Sequence, residues 1–124
     1  MPQDSYSGAR ASKYGHETSR LIAKQINAVS VSSKSNEFAF EGRLITIRCA
    51  RKGNQQVGVL YSMLDRIDSI VAAFEIAKCI YELYEMTPAI YKIYMRDSKK
   101  EQRIGLVTKK QFIKLGRPLS TVRI

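Results

Sequence analysis

Histidine, cysteine and acidic side chains are all in short supply in this chain. One histidine, His16, and two cysteines, Cys49 and Cys79, are all that its 124 residues contain. No Cys-x-x-Cys pair exists, which argues against a structural zinc site. Both cysteines sit among apolar neighbours and read as reduced, buried thiols. Any Ser-His or Cys-His mechanism would have to use His16, which follows Gly15 in a first helical turn and reads as a surface histidine. The stretch GVLYSMLDR lacks the Gly-Lys-Ser pattern of a phosphate-cradling loop, and there is no nucleophile elbow. Zinc-finger, helix-turn-helix and aromatic RNA-recognition signatures are missing, as are internal repeats and low-complexity segments. No apolar run is long enough to span a bilayer, and no N-terminal segment resembles a signal peptide. These absences lead to the expectation of a soluble, cytoplasmic protein with no membrane partner and no resident cofactor.

The acidic shortage has the larger consequence. Eleven Asp and Glu stand against 21 Lys and Arg, a formal net charge of +10. Such a surface suits an acidic polymer. The charge is uneven along the chain. Residues 61–90 hold two basic and five acidic side chains, whereas residues 91–124 hold ten basic and two acidic. Residues 31–60 hold five basic and two acidic. A basic face built from the middle hairpin and the C-terminal third is the expectation.

Residues 1–12, MPQDSYSGARAS, are small and polar and read as a flexible tail before one domain over residues 13–124. From Lys13 an apolar face recurs at helical steps through Tyr14, Thr18, Leu21, Ile22, Ile26 and Val29. The stretch SVSSKSN reads as a loop. Two strands follow, Glu37–Phe40 and Arg43–Ala50, around a tight turn at Gly42. The second strand alternates, with Ile45, Ile47 and Cys49 on the core side and Leu44, Thr46, Arg48 and Ala50 on the other. KGNQQ is a turn and VGV a short strand. The stripe Leu60, Met63, Leu64, Ile67, Ile70, Val71 and Phe74 predicts a main helix running to about Lys78. IYELYEM reads as a strand ended by Pro88. AIYKIYMRD alternates and predicts another strand, with Lys92, Tyr94 and Arg96 on one face. After an exposed turn, IGLV is a strand. TKKQFIKLG is a short helix, capped by Thr108 with Gln111 and closed at Gly116. The predicted class is mixed α/β, a small sheet flanked by two main helices.

The order of a helix beginning KYGHETSRLIAK and a glycine-turned hairpin, with a helix and more strands beyond, resembles the restriction-endonuclease-like superfamily, the PD-(D/E)xK nucleases. The resemblance spans roughly Lys13 to Asp97. It implies an Asp on the first hairpin strand and an acid-x-Lys tripeptide on the second, holding the Mg²⁺ that activates water against a phosphodiester. This sequence departs from that pattern. The Asp position falls on Asn36 or Glu37, depending on register, and the tripeptide falls on Thr46-Ile47-Arg48. Threonine is a poor metal ligand, and arginine binds phosphate without being able to relay a proton.

The leading expectation is therefore a binding protein on a degenerate nuclease scaffold, with no metal, that grips nucleic acid, DNA foremost, by its phosphates. The residues expected to do so are Arg43, Arg48, Arg51, Lys52, Lys92, Tyr94, Arg96, Lys99, Lys100, Arg103, Lys109 and Lys110. Lys114, Arg117 and Arg123 extend that segment. One alternative is an active Mg²⁺-dependent endonuclease with a rearranged site of Glu17, Glu37, Glu41 and Lys52. Another is a protein–protein module, for example an inhibitor of a nucleic-acid enzyme, whose basic face meets an acidic partner. An exposed part of the Leu60–Phe74 stripe could also pair two copies into a homodimer.

Overall fold

The computed structural model describes residues 2–32, 36–98 and 103–124. Helix α1 (Pro2–Gln25) leads to β1 (Val29–Ser30), then to the hairpin of β2 (Glu37–Phe40) and β3 (Arg43–Ala50). After β4 (Gln56–Leu60), α2 (Tyr61–Leu64) and β5 (Ser69–Ala77) come β6 (Ile80–Met86) and α3 (Pro88–Tyr94). The chain ends with β7 (Arg96–Asp97), β8 (Ile104–Thr108), α4 (Lys109–Leu115) and β9 (Arg117–Arg123). Six strands form one sheet in the order β1-β2-β3-β5-β6-β9, and three form a second in the order β4-β8-β7. Every pairing is antiparallel except β3 with β5. A parallel pair needs a long crossover. Here β4 and α2 are that crossover. The mixed α/β class is as expected. No helix among the described residues is long and apolar enough to cross a membrane.

The hairpin forms where its pattern places it. Glu41 (φ 50°) and Gly42 (φ 75°) both lie in the left-handed region, as a two-residue hairpin turn demands. Phe40 opposite Arg43 closes it, and Glu37 opposite Thr46 sets the register. Ile45 and Ile47 join Phe38 and Phe40 in a core beneath Ile22 and Ala23 of α1. Leu44 and Ala50 look the other way, toward a second core built with Val57, Val59, Val107, Tyr91 and Phe112. The six-stranded sheet is thus the middle layer between two cores.

That layering corrects the second main helix. The stretch from Leu60 to Lys78 is the end of β4, a single turn of helix and the central strand β5. Residues 69–74 of β5 are buried without interruption, because both of its faces are covered. A continuous apolar run satisfies a helical period as readily as a strand. A second correction concerns AIYKIYMRD. Thr87 caps a helix there by accepting from the Ile90 N–H (3.3 Å), with Pro88 in the first turn where its missing donor costs nothing. Lys92, Tyr94 and Arg96 therefore share no strand face. Helix α1 begins at Pro2, eleven residues before the periodicity that locates it from Lys13. The terminal segment RPLSTVR is an edge strand against β6, and an edge tolerates Pro118. The short C-terminal helix has the capping box that its sequence predicts, with Gln111 N–H donating to Thr108 Oγ1 (3.2 Å) and Thr108 N–H to Gln111 Oε1 (3.0 Å).

Buried Glu85 ties the sheet together. Arg43 reaches its Oε2 from the hairpin (2.6 Å), and Arg117 of β9 reaches its Oε1 through Nη2 (2.7 Å) and Nε (2.8 Å). Burial alone would push the carboxyl up. The Arg117 hydrogen bond, the Ser69 hydroxyl and the two guanidinium charges outweigh it and hold the pKa below the ordinary value. Because the folded-state value lies below the unfolded one, this clamp contributes fully above about pH 4.3 and is lost as the pH falls through the folded value. Thermal melts of the wild type should therefore fall between about pH 5 and pH 3, and those of Glu85→Gln should start lower and change less. Equal slopes would show that other carboxylates govern acid unfolding. Gly116→Ala should also lower stability, by about 2 kcal/mol in a urea titration. A Cβ there would lie 2.5 Å from the Glu85 carbonyl and 2.8 Å from that of Phe112, both backbone atoms.

Candidate nucleic-acid interface

Strand pairing resolves the hairpin register that sequence left open. Glu37 lies directly opposite Thr46, so the two side chains share a face, and Arg48 follows two residues along. Asn36 turns to α1 instead. Its Oδ1 accepts from His16 Nδ1 (3.1 Å), and its carbonyl accepts from the Thr46 hydroxyl (2.8 Å) and the Ile47 N–H (3.2 Å). Of the two candidates for the Asp position, Glu37 is the one beside Thr46. That carboxylate is occupied by Arg66, at 2.5 Å from Nη2 and 3.2 Å from Nε.

The other candidate catalytic residues lie elsewhere. Glu17 is exposed on α1 with Lys13 at 3.9 Å. Glu41 is in the hairpin turn, 4.0 Å from Arg43 and at the far end of β2 from Glu37. Lys52 is exposed in the turn after β3, where its backbone N–H donates to Glu75 Oε1 (3.1 Å). Among the described residues no three His, Cys, Asp or Glu side chains come together to hold a metal ion. Two free carboxylates are what Mg²⁺ needs at the hairpin. Thr46 is fully buried with its hydroxyl donated to Asn36, and Glu37 is spent on Arg66, so these residues do not fit the ion.

Arg48 is the unusual group on this face. Its side chain is half-buried toward the second core, beside Tyr91. Burial lowers its pKa, partly offset by Cys49 and Tyr91. A guanidinium nevertheless stays charged at neutral pH. Among the described residues no ion pair or hydrogen bond engages it. The Tyr91 hydroxyl is already committed, donating to the Gly105 carbonyl (2.7 Å) with the Val57 carbonyl at 3.4 Å. Neighbouring Cys49 is no nucleophile. Burial pushes its thiol up to about 11, against the Ser19 hydroxyl and Arg48.

Beyond β3 the chain brings two distant basic segments together. Lys109 N–H donates to the Gln55 carbonyl (2.8 Å), and Gln56 pairs with Thr108. The β3–β4 turn, with Arg51 and Lys52, thus lies beside α4, with Lys109 and Lys110. A cleft of about 470 Å³ separates them, lined by Asn54, Gln55, Gln56, Thr108, Lys109, Lys110 and Ile113. Arg51 stacks on the Tyr14 ring (4.0 Å), whose hydroxyl bonds that of Tyr81 (2.6 Å). Lys109 folds inward to Glu82 (3.1 Å), while Lys110 stays exposed with no ion pair among the described residues.

The rest of the expected basic face is dispersed or neutralised. Arg43 and Arg117 are held by Glu85, and Lys92 by Asp65 (2.6 Å). Arg96 donates to Gln56 Oε1 (3.2 Å). Arg103 lies over the Tyr61 ring (5.7 Å), and Tyr94 is exposed at the end of α3. Lys99 and Lys100 lie outside the described residues. Asn54, Gln56 and Ile113 line the cleft without having been read from the sequence. A polar NQQ turn carries no signal of what packs beside it. Comparison with known proteins finds no family model, no curated protein and no solved structure that matches this chain.

Proposed function

We propose that this protein binds nucleic acid, DNA foremost, through its phosphate backbone, on a restriction-endonuclease-like scaffold whose hairpin no longer holds metal. Helix α1 ahead of a glycine-turned hairpin, at the places the resemblance requires, supports the scaffold. The basic turn and α4, joined across one cleft, support the binding.

The observation that carries the reading is Arg48. Desolvating a charge is expensive unless an opposite charge or hydrogen bonds compensate it. Arg48 is partly desolvated with no such partner among the described residues, and it stands where the resemblance puts a phosphate-contacting lysine. A phosphate oxygen is a partner that a guanidinium's planar fork accepts well. Lys52, Arg51 and Lys110 then extend the grip along the strand, and the affinity is salt-dependent.

One gel tests this reading against cleavage. Supercoiled plasmid is incubated with the protein, with and without Mg²⁺ or Mn²⁺, across a salt series, and half of each sample is deproteinised. Intact DNA after deproteinisation and retarded DNA at low salt are expected. Nicked or linear DNA in the metal lanes overturns the reading in favour of a rearranged site, which Glu37→Ala would then abolish. Neither retardation nor cleavage leaves the protein–protein module. A substitution separates function from stability. Arg48→Met should raise stability by about 1 kcal/mol, because it removes an uncompensated charge. The same change should weaken DNA binding by about tenfold and lower the salt slope by about one. A fall in both stability and binding would make Arg48 a structural residue.

A further inference from the structure

The cleft between the β3–β4 turn and α4 has a chemistry that phosphate binding does not use. We infer that it takes one unpaired base of a single-stranded nucleic acid, with the flanking phosphates on Lys110 and Lys52. This rests on the proposed nucleic-acid binding and narrows it to a strand type.

Thr108 is taken up by its capping box and Gln55 Nε2 by the Lys52 carbonyl (2.6 Å), so the side chains that face a ligand with free polar atoms are those of Gln56 and Asn54. Arg96 can only donate, so its bond to Gln56 Oε1 fixes that amide's orientation and leaves Nε2 as a donor. The Asn54 side chain has no partner among the described residues and offers both a donor and an acceptor. Paired donors and acceptors match the edge of a base, and they are wasted on a phosphate, which only accepts. The apolar part is Ile113, 54% exposed at the cleft, a flat aliphatic wall for a ring face. Lys109 is paired with Glu82, so Lys110 is the lining cation that has no ion pair among the described residues. At about 470 Å³ the space lies within the range of small-ligand sites. A base inside a duplex is stacked on both faces and cannot enter such a recess; an unstacked one can.

The test is fluorescence anisotropy at low salt with a labelled single-stranded 15-mer and the blunt duplex of the same sequence. The wild type should bind the single strand about tenfold more tightly. The double variant Asn54→Ala/Ile113→Ala should bind the single strand about as weakly as the duplex, and leave duplex affinity within about twofold. Asn54→Asp, which changes charge and barely changes shape, should lose the same preference. Thermal melts establish that both variants fold. Equal binding of single strand and duplex by the wild type, or variants that leave the preference intact, overturns the base site while the phosphate reading stands. Failure of the wild type to bind either oligonucleotide overturns both.

Discussion

Burial of the centre of the six-stranded sheet on both faces is the constraint from which the rest of this structure follows. With α1 above and the second sheet and short helices below, residues 45–47 of β3 and 69–74 of β5 have no solvent side. Each polar group on them must find a partner inside. Thr46 gives its hydroxyl to a carbonyl, and buried Glu85 gathers two arginines. Against that background Arg48 stands apart. The same layer that satisfies its neighbours leaves this cation without an internal anion among the described residues. A fold this strict about polar groups retains such a group at a cost in stability, which on the proposed reading is offset by recognition of an external anion.

The charge asymmetry along the chain does not carry over into space. The acidic residues of positions 61–90 are the partners of the basic residues around them. Asp65 takes Lys92, Glu82 takes Lys109, and Glu85 takes both Arg43 and Arg117. Three of the ten basic residues of positions 91–124, Lys92, Lys109 and Arg117, are therefore paired, the last two with the sheet strand β6. The surviving positive groups are fewer and better placed. Lys110 lines the cleft, Lys52 lies in the turn that borders it, and Arg51 is held against Tyr14 on the same turn. Of these Arg51 has a fixed support, and a cation held in place loses less side-chain freedom on binding than a mobile one.

The parts legible in the sequence are those set by local rules. The hairpin strands fall at Glu37–Phe40 and Arg43–Ala50 because a two-residue turn and a period of two specify them. The Thr108–Gln111 box places α4 in the same way. What misleads is information that lives between elements. The apolar run through Ile70 and Phe74 is continuous because a second layer covers β5, and no window of sequence reveals that layer. The Asn36-or-Glu37 ambiguity ends only when β2 pairs with β3. Thr87 and Pro88 do carry a local helix-start signal, and there the alternation of Tyr91, Ile93 and Met95 competes with a cap that the helix in fact uses. The candidate site divides likewise. Arg48, Lys52 and Lys110 are visible as charges, but Asn54 and Ile113 become site residues only when α4 packs beside the turn.

On the proposed reading the hairpin holds a phosphate and does not break it. Hydrolysis at such a site needs an unoccupied carboxylate pair for a metal and a group that can accept or pass on a proton. Thr46 has no charge, and its hydroxyl proton is already donated to Asn36. Freeing Glu37 would mean separating it from Arg66, which removes the compensation of a buried carboxylate. Arg48 stays protonated throughout the physiological range, so it cannot serve as a base. Each departure from the nuclease pattern removes catalytic capacity, yet Arg48 keeps its positive charge. Changes of that kind suit a protein whose work, on the proposed reading, ends with the bound complex.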